Sequence, residues 1–210
     1  MLNVVLIGAV VFSAFPLFVR ASGVVTNCTQ ADLVAALNGG GLVAFSCVGT
    51  ISLTNSTTVT NDVILDGSNH AVTISGNNAT RLFNVNPGIR FTLINLTLTD
   101  GRHHGSDGTT NTSAEMGFGG AIYNNAGFVE LVNCTLTNNA ATGGNSLDYV
   151  AGAPARGGAV FDSGGTLVLS HCTLAANLAE GARATSVDSI LLSVTEATRT
   201  AGLFSAATAS

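Results

Sequence analysis

The feature that most constrains the fold of this chain is an internal repeat. The pattern of residues 119–141 recurs, without a gap, in residues 157–179. The step of the repeat in residue number is therefore 157 − 119 = 38. A weaker third copy lies one step earlier, where Leu96 precedes Cys134 by the same interval. A repeat of this length indicates a supersecondary unit that stacks on its neighbours, because one unit cannot bury its apolar face alone.

Within each copy, apolar residues alternate with polar ones, which is typical of half-buried β-strands. Cys134 and Leu136 are two residues apart, and Cys172 and Leu174 repeat that spacing. Dipeptides rich in Asn and Gly separate the short runs and indicate tight turns. Each copy therefore predicts three short strands. Copies that keep their register over three cycles favour a solenoid whose coils stack about 4.8 Å apart.

The step of the repeat is too long for one coil of three short strands. Residues 102–118 and 143–156 are rich in Gly, Ser, Thr and Asn, show almost no alternation, and fall at the same phase of the repeat. Without about 14 such residues, a coil has about 24, which is a usual size for a solenoid. Insertions at one phase lie on one side of a solenoid, often the binding side.

The pattern G-G-A-I-Y-N followed by N-C-T-L-T-N-N resembles the repeats of right-handed parallel β-helix proteins of the pectin-lyase-like superfamily. It is most similar to the repeats of polymorphic outer-membrane proteins, except that Leu136 and Leu174 stand where those repeats carry an aromatic residue. The resemblance covers residues 27–179 and implies an all-β, right-handed parallel β-helix. It implies no single activity, since such repeats occur in adhesins, autotransporter-like proteins and other exported proteins.

Both ends of the chain differ from the repeat. Residues 1–21 predict a signal peptide cleaved after Ala21, although no basic residue precedes the apolar run; an uncleaved anchor is the alternative. The mature chain then has no membrane span. Residues 22–180 are the predicted β-helix domain. Residues 181–210 lack the Gly-Gly-Ala of the repeat and are either a C-terminal cap or a truncated or shifted end.

Residues 29–38 predict a single short helix, with Thr29 as its N-cap and a run of three glycines at its end. Such a helix before the first coil would cover the open end of the solenoid, including its unpaired strand edges. The helix and the first strand lie between Cys28 and Cys47. Four cysteines allow three connectivities, and in an exported chain we expect these two to form a disulfide.

The common phase of the copies also predicts which positions stack. Period-two alternation places two residues of each copy on the inner face, and the asparagine at the following turn can bond to its copy along the axis. We expect the two remaining cysteines to be unbonded thiols of the core. The predicted files are Leu96 with Cys134 and Cys172, Leu98 with Leu136 and Leu174, and Asn139 with Asn177.

Candidates for ligand contact lie in the two insertions. The histidine-containing run of the first could serve acid–base or metal chemistry near a glycan; the alternative is a solvated polar loop. An exposed tyrosine in the second can stack on a sugar ring. The candidate residues are Arg102, His103, His104, Asp107 and Glu115 in the first insertion, and Asp148, Tyr149 and Arg156 in the second.

The resemblance also implies what an enzyme of this superfamily would need. Its hydrolases use paired aspartates, and its lyases use aspartate-bound calcium with an Arg or Lys base. The aspartates of this chain are scattered singly and match neither pattern, so we predict no catalytic residue, metal or cofactor. A net charge of −5 without any lysine argues against a nucleic-acid partner.

The sequence therefore predicts a secreted or surface-attached scaffold for adhesion or glycan binding. The alternative is a polysaccharide lyase or glycoside hydrolase of the same fold. Glycosylation is a further hypothesis, with Asn111 the best acceptor, although Asn-x-Thr can equally be the turn sequence of the repeat. The sequons begin at Asn27, Asn55, Asn78, Asn95, Asn111 and Asn133.

Overall fold

A computed structural model describes residues 21–109, 111–146 and 152–182. Residues 1–20 of the predicted signal peptide and the tail beyond residue 182 lie outside the described residues, as do Asp148 and Tyr149. Among the described residues, no helix has the length and hydrophobicity that crossing a bilayer requires.

The first elements in chain order are β1 (Ala21–Val25), α1 (Gln30–Gly39), β2 (Gly41–Phe45), β3 (Gly49–Ser52), β4 (Thr57–Val59), β5 (Val63–Asp66), β6 (Val72–Ser75), β7 (Phe83–Val85), β8 (Arg90–Ile94), β9 (Thr97–Thr99) and β10 (Arg102–His104). The remaining strands are β11 (Gly117–Phe118), β12 (Ile122–Asn125), β13 (Phe128–Val132), β14 (Thr135–Thr137), β15 (Ala140–Thr142), β16 (Ala155–Arg156), β17 (Val160–Ser163), β18 (Thr166–Ser170), β19 (Thr173–Ala175) and β20 (Leu178–Glu180).

Three sheets of parallel strands form the walls of a solenoid. Sheet A has the strand order β1-β2-β5-β8-β13-β18, sheet B the order β3-β6-β9-β14-β19, and sheet C the order β4-β7-β12-β17. Along the chain a strand of sheet C is followed by one of sheet A and then one of sheet B, so each later coil adds one strand to each wall. The described part of the chain is an all-β parallel β-helix with one short helix at its N-terminal end.

The coils lengthen along the chain. In sheet A, Val43 pairs with Leu65, and Leu65 pairs with Leu93. Leu93 then pairs with Leu131, and Leu131 with Leu169, and both of these intervals equal the step of the sequence repeat. The two earlier intervals are shorter. The early coils therefore have about the size that remains when the insertions are subtracted from the repeat, which agrees with the sequence analysis.

The two insertions are loops for most of their described length, but short strands form at their ends. Strands β10, β15 and β20 form a three-stranded parallel sheet, and β11 pairs in parallel with β16. We call these five strands the annex. Their residues also pair at the step of the repeat, as His103 does with Ala141 and Phe118 with Arg156. Strands of two or three residues are too short to show alternation, which is why the sequence pattern missed them.

The interior of the solenoid is filled by the alternate residues of the strands. Leu98, Leu136 and Leu174 lie side by side in sheet B. Leu98 and Leu136 are fully buried, and one position before each strand Leu96 and Cys134 are buried as well. Cys172 and Leu174 are only partly buried because no described coil lies beyond them. Cys134 and Cys172 carry free thiols.

An asparagine ladder closes the bend after sheet B. The Asn139 side chain is fully buried, and its Oδ1 accepts from the Gly101 backbone N–H at 2.9 Å. Its Nδ2 donates to the Leu98 carbonyl at 3.1 Å and to Asn177 Oδ1 at 3.0 Å. The Asn177 amide then donates to the Leu136 carbonyl. One side chain in each coil thus satisfies backbone groups of the coil before it.

A second ladder marks the bend between sheets A and B. The chain turns at Asn95, between β8 and β9, where its φ of 55° lies in the left-handed region. Asn133 and His171 have the same conformation one and two steps later. The Asn133 amide donates to Asn95 Oδ1, and the Asn95 amide to Ser68 Oγ. Asn95 and Asn133, two of the six sequon asparagines, therefore belong to this second ladder.

The helix and the disulfide lie together at the N-terminal end. Thr29 Oγ1 accepts from the Asp32 N–H at 3.2 Å, and Gly40, with a φ of 67°, follows the last turn. The buried face of α1 includes Leu33, which belongs to the main core cluster. Cys28 and Cys47 are bonded, which confirms the disulfide expected from the sequence.

Candidate functional site

Three aromatic rings meet where the annex touches the outer face of sheet C. Phe118, at the end of β11, lies with its ring centroid 4.5 Å from that of Phe161 and 6.1 Å from that of Tyr123. Tyr123 and Phe161 are paired residues of neighbouring coils, and their rings are parallel at 5.9 Å. Phe161 is buried, whereas Phe118 and Tyr123 are half-buried. The site therefore presents two aromatic surfaces on a rigid base.

Arg81 extends this aromatic cluster toward the earlier coils. Its Nε donates to the Gly119 carbonyl at 2.9 Å, one Nη to the Phe118 carbonyl at 2.5 Å, and the other Nη to Asn84 Oδ1 at 2.6 Å. The guanidinium carbon lies 5.1 Å from the centroid of the Tyr123 ring. Burial lowers the pKa of Arg81 to about 10. The group is therefore still a cation at neutral pH, placed over an aromatic face that favours it.

His103 also bonds to the backbone of β11, at Phe118. Its Nδ1 accepts a hydrogen bond from the Phe118 N–H at 3.0 Å, so the proton of the neutral ring is on Nε2. Burial, followed by the charges of Arg81 and His104, lowers the pKa of His103 to about 4. Both backbone groups of Phe118 are thus bonded to side chains, which fixes the ring that forms one edge of the aromatic cluster.

The exposed end of the annex carries a polar network. His104 Nδ1 lies 2.8 Å from Thr142 Oγ1, and His104 Nε2 lies 3.2 Å from Asp107 Oδ1. Asp107 also accepts from the Asn145 N–H at 2.7 Å. Hydrogen bonds from the Asn145 backbone and from His104 hold the pKa of Asp107 below its usual range. The bonds to Thr142 and Asn145 span one step of the repeat, so the network ties one insertion to the next.

The remaining candidates from the sequence are spread over the annex surface. Arg102 in β10, Arg156 in β16 and Glu115 are exposed. The charge of Glu115 acts on His103 and opposes the lowering of its pKa. The structure therefore brings His103 to the aromatic cluster and joins His104 to Asp107, while Arg102 and Arg156 remain peripheral.

The aspartates that the sequence shows singly are largely used in stacking contacts. Asp62 Oδ1 accepts from the Arg90 N–H at 2.8 Å, and Asp162 Oδ1 accepts from the Asn124 amide at 2.6 Å. In the part of the chain that the structure describes, no three His, Cys, Asp or Glu residues are grouped so that they could hold a metal ion. These two carboxylates therefore act as hydrogen-bond acceptors between coils.

Comparison with known proteins leaves the family open. No protein-family model, curated protein or solved structure matches the chain. The parallel β-helix is therefore established by the strand pairing of this chain alone.

Sequence reasoning found only part of this site. The step of the repeat relates Tyr123 to Phe161, and the pairing of β12 with β17 places these two residues side by side. Sequence reasoning missed Arg81 and Asn84, which lie at the start of the weak third copy of the repeat, and it gave Phe118 no role. An aromatic residue directly before the Gly-Gly pair of the first copy is the signal that could have suggested Phe118.

The lowered pKa of His103 predicts a pH dependence of stability. The unfolded chain binds a proton near pH 6.5, whereas the folded chain does so only near pH 4. The contribution of His103 is therefore fully present above pH 6.5, and protonation of the unfolded state removes it as the pH falls toward 4. Because His103 is only half-buried and solvent screens its charge, we expect a loss on the order of 1–3 kcal/mol across this window.

The comparison that isolates this effect uses His103→Asn, because the amide oxygen can still accept from the Phe118 N–H but does not titrate. Urea unfolding of both proteins between pH 4 and 7 should give a smaller pH slope for the variant. Equal slopes would show that His103 is not shielded from protons by the annex.

Proposed function

We propose that this protein is an exported, non-catalytic scaffold of the pectin-lyase-like superfamily that binds a glycan where the annex meets sheet C. The observation that carries the proposal is the half-buried pair of rings of Phe118 and Tyr123 beside the polar groups of Arg81 and Asn84. Aromatic faces pack against the apolar face of a sugar ring, while amide and guanidinium groups bond to its hydroxyls.

The polar side of this site retains capacity for a ligand. A guanidinium has five N–H groups that can donate. Three of those on Arg81 donate to Gly119, Phe118 and Asn84, which leaves two for a ligand. The Asn84 amide donates to Ser56 Oγ at 2.9 Å, so the polar groups are held in a row across neighbouring coils. Groups that are already ordered lose little conformational entropy when a ligand binds.

Two observations support export and the absence of turnover. A disulfide such as Cys28–Cys47 persists in oxidising compartments, which agrees with the predicted signal peptide. Glycosidases need two carboxyl groups that face the same bond, whereas Asp62 and Asp162 serve as acceptors for neighbouring coils. A binding role requires neither a paired carboxylate nor a metal.

Replacing Tyr123 with Ala is expected to weaken glycan binding about tenfold or more, equal to about 1.4 kcal/mol, because the stacking surface is lost. A glycan array with the wild-type protein identifies the ligand, and calorimetric titration of that ligand gives the dissociation constants. The matched control is Phe128→Ala, since Phe128 is also half-buried but lies on sheet A beneath Arg90.

Equal loss of affinity in both variants would place the ligand elsewhere on the chain. The enzyme alternative is tested by incubation with polygalacturonate and related polymers, with and without calcium. New unsaturated or reducing ends, produced with turnover, would overturn the non-catalytic assignment.

A further inference from the structure

The outer face of sheet B carries a regular array of hydroxyl side chains. Each of its five strands has the sequence Thr-x-Thr, Thr-x-Ser or Thr-x-Ala, with the central Ile or Leu pointing into the core. The pairing of the strands brings like positions side by side. We call these outward positions the threonine array. Its first column is Thr50, Thr73, Thr97, Thr135 and Thr173, and its second is Ser52, Ser75, Thr99, Thr137 and Ala175.

The geometry of the array follows from the geometry of the sheet. Neighbouring residues of a column are about 4.8 Å apart, and the two columns are about 6.6 Å apart, because strands rise about 3.3 Å per residue. Threonine is branched at Cβ and stiff at χ1, so each position presents its methyl and hydroxyl groups with little freedom. The result is a rigid two-dimensional lattice of about 20 Å along the solenoid axis.

The array is uncharged and partly open to solvent. In the first column, Thr50 and Thr173 are exposed and the threonines between them are half-buried. No described residue hydrogen-bonds to the hydroxyl groups of Thr97, Thr99, Thr135 or Thr137. Ser75 is the exception, since it is buried and its hydroxyl lies 3.4 Å from Asp100 Oδ2 at the corner of the sheet.

Strand-forming tendency does not account for this regularity. Threonine is favoured in strands, but the same constraint acts on the outer faces of sheets A and C, and their residue types vary from coil to coil. One outward column of sheet A is Leu42, Ile64, Thr92, Glu130 and Val168, and one of sheet C is Thr58, Asn84, Tyr123 and Phe161. Only the sheet B face, among the described sheets, keeps one residue type across five coils.

We propose that the threonine array binds the surface of ice. A crystalline surface of water has repeats of the same order as those of the array, carries no charge, and offers hydrogen-bonding partners to each hydroxyl. One protein–water bond gains little over bulk water, so adsorption requires many contacts that form together on a preorganised face. The array supplies such contacts, and its methyl groups pack into the spaces between the ordered waters.

This site is separate from the proposed glycan site, which lies on sheet C and the annex. Its test is ice-affinity partitioning, in which ice grows slowly from a dilute solution of the purified chain, expressed without glycosylation. The wild-type protein should be enriched in the ice fraction relative to a soluble globular reference protein. It should also change the shape of single ice crystals viewed by microscopy.

The decisive variant is Thr97→Tyr, at the central strand of the array, which places a bulky ring above the lattice. Enrichment should fall to the level of the reference protein. The matched control is Thr166→Tyr, since Thr166 is an exposed strand residue on sheet A. It should partition like the wild type, and Tyr123→Ala should do so as well. Tyrosine is favoured in strands, and circular dichroism with a thermal melt shows whether each variant is folded.

Three results would overturn the proposal. The first is a wild-type protein that is no more enriched in ice than the reference protein. The second is an equal loss in Thr97→Tyr and Thr166→Tyr, both folded. The third is adsorption to crystalline cellulose or chitin, but not to ice, that Thr97→Tyr abolishes, which would assign the array to a polysaccharide surface.

Discussion

Leu136→Asp should destabilise the folded chain by about 4 kcal/mol or more, since it removes a buried leucine and buries a carboxylate. Leu136 is fully buried between its neighbours Leu98 and Leu174 in sheet B. No described basic side chain lies in this core to pair with the new charge. Chemical denaturation monitored by circular dichroism measures the change in the free energy of unfolding.

The matched control lies one residue further along the same strand. Thr137 points outward and is half-exposed, so Thr137→Ala should change the free energy of unfolding by about 0.5 kcal/mol or less. If the two variants unfold at similar denaturant concentrations, the inward and outward assignments of β14 are wrong, because a slip of one residue exchanges the two faces.

Asn139→Leu should cost about 1–3 kcal/mol, although the new side chain has a similar size and is apolar, because a buried backbone group that loses its hydrogen bond costs about that much. The Gly101 N–H donates to Asn139 Oδ1 and would be left without this partner, and the Leu98 carbonyl would lose the bond from the Asn139 amide. Thermal and urea unfolding of the variant measure this loss.

Asn125→Ala provides the comparison for this change, because Asn125 is exposed at the end of β12. It should alter stability by about 0.5 kcal/mol or less. A mild effect of Asn139→Leu, close to that of Asn125→Ala, would show that the asparagine ladder fills space without holding the coils together.

These two predictions concern the features that make one coil support the next. Leu136 represents the apolar files of the interior, and Asn139 represents the polar side chains that satisfy the backbone at a bend. Both depend on neighbouring coils being in register, so their loss should weaken the coils on either side as well. The candidate binding surfaces lie on the outside of the same coils, where substitutions are free of this constraint.

The architecture could be predicted from the sequence. A repeat at a constant step, period-two alternation and turn residues at fixed phase indicate a stacked coil of three strands, because these are local patterns of backbone geometry. Capping residues predicted the helix after Thr29, and the expected export of the chain predicted the bond between Cys28 and Cys47; the structure contains both. The repeat also aligned Asn139 with Asn177, whose side chains bond in the structure.

The surfaces on the outside of the solenoid could not be predicted in this way, because they depend on how the coils stack. Arg81 bonds to the carbonyl of Phe118 in a later coil, and no local pattern connects the two. The threonine array became visible only through strand pairing, because the first coils advance by shorter and unequal steps and only the later ones by the step of the repeat. A periodic sequence signal reports contacts that recur at a constant step. Surfaces built from unequal coils, or from an insertion folded against a wall, are fixed by three-dimensional register alone.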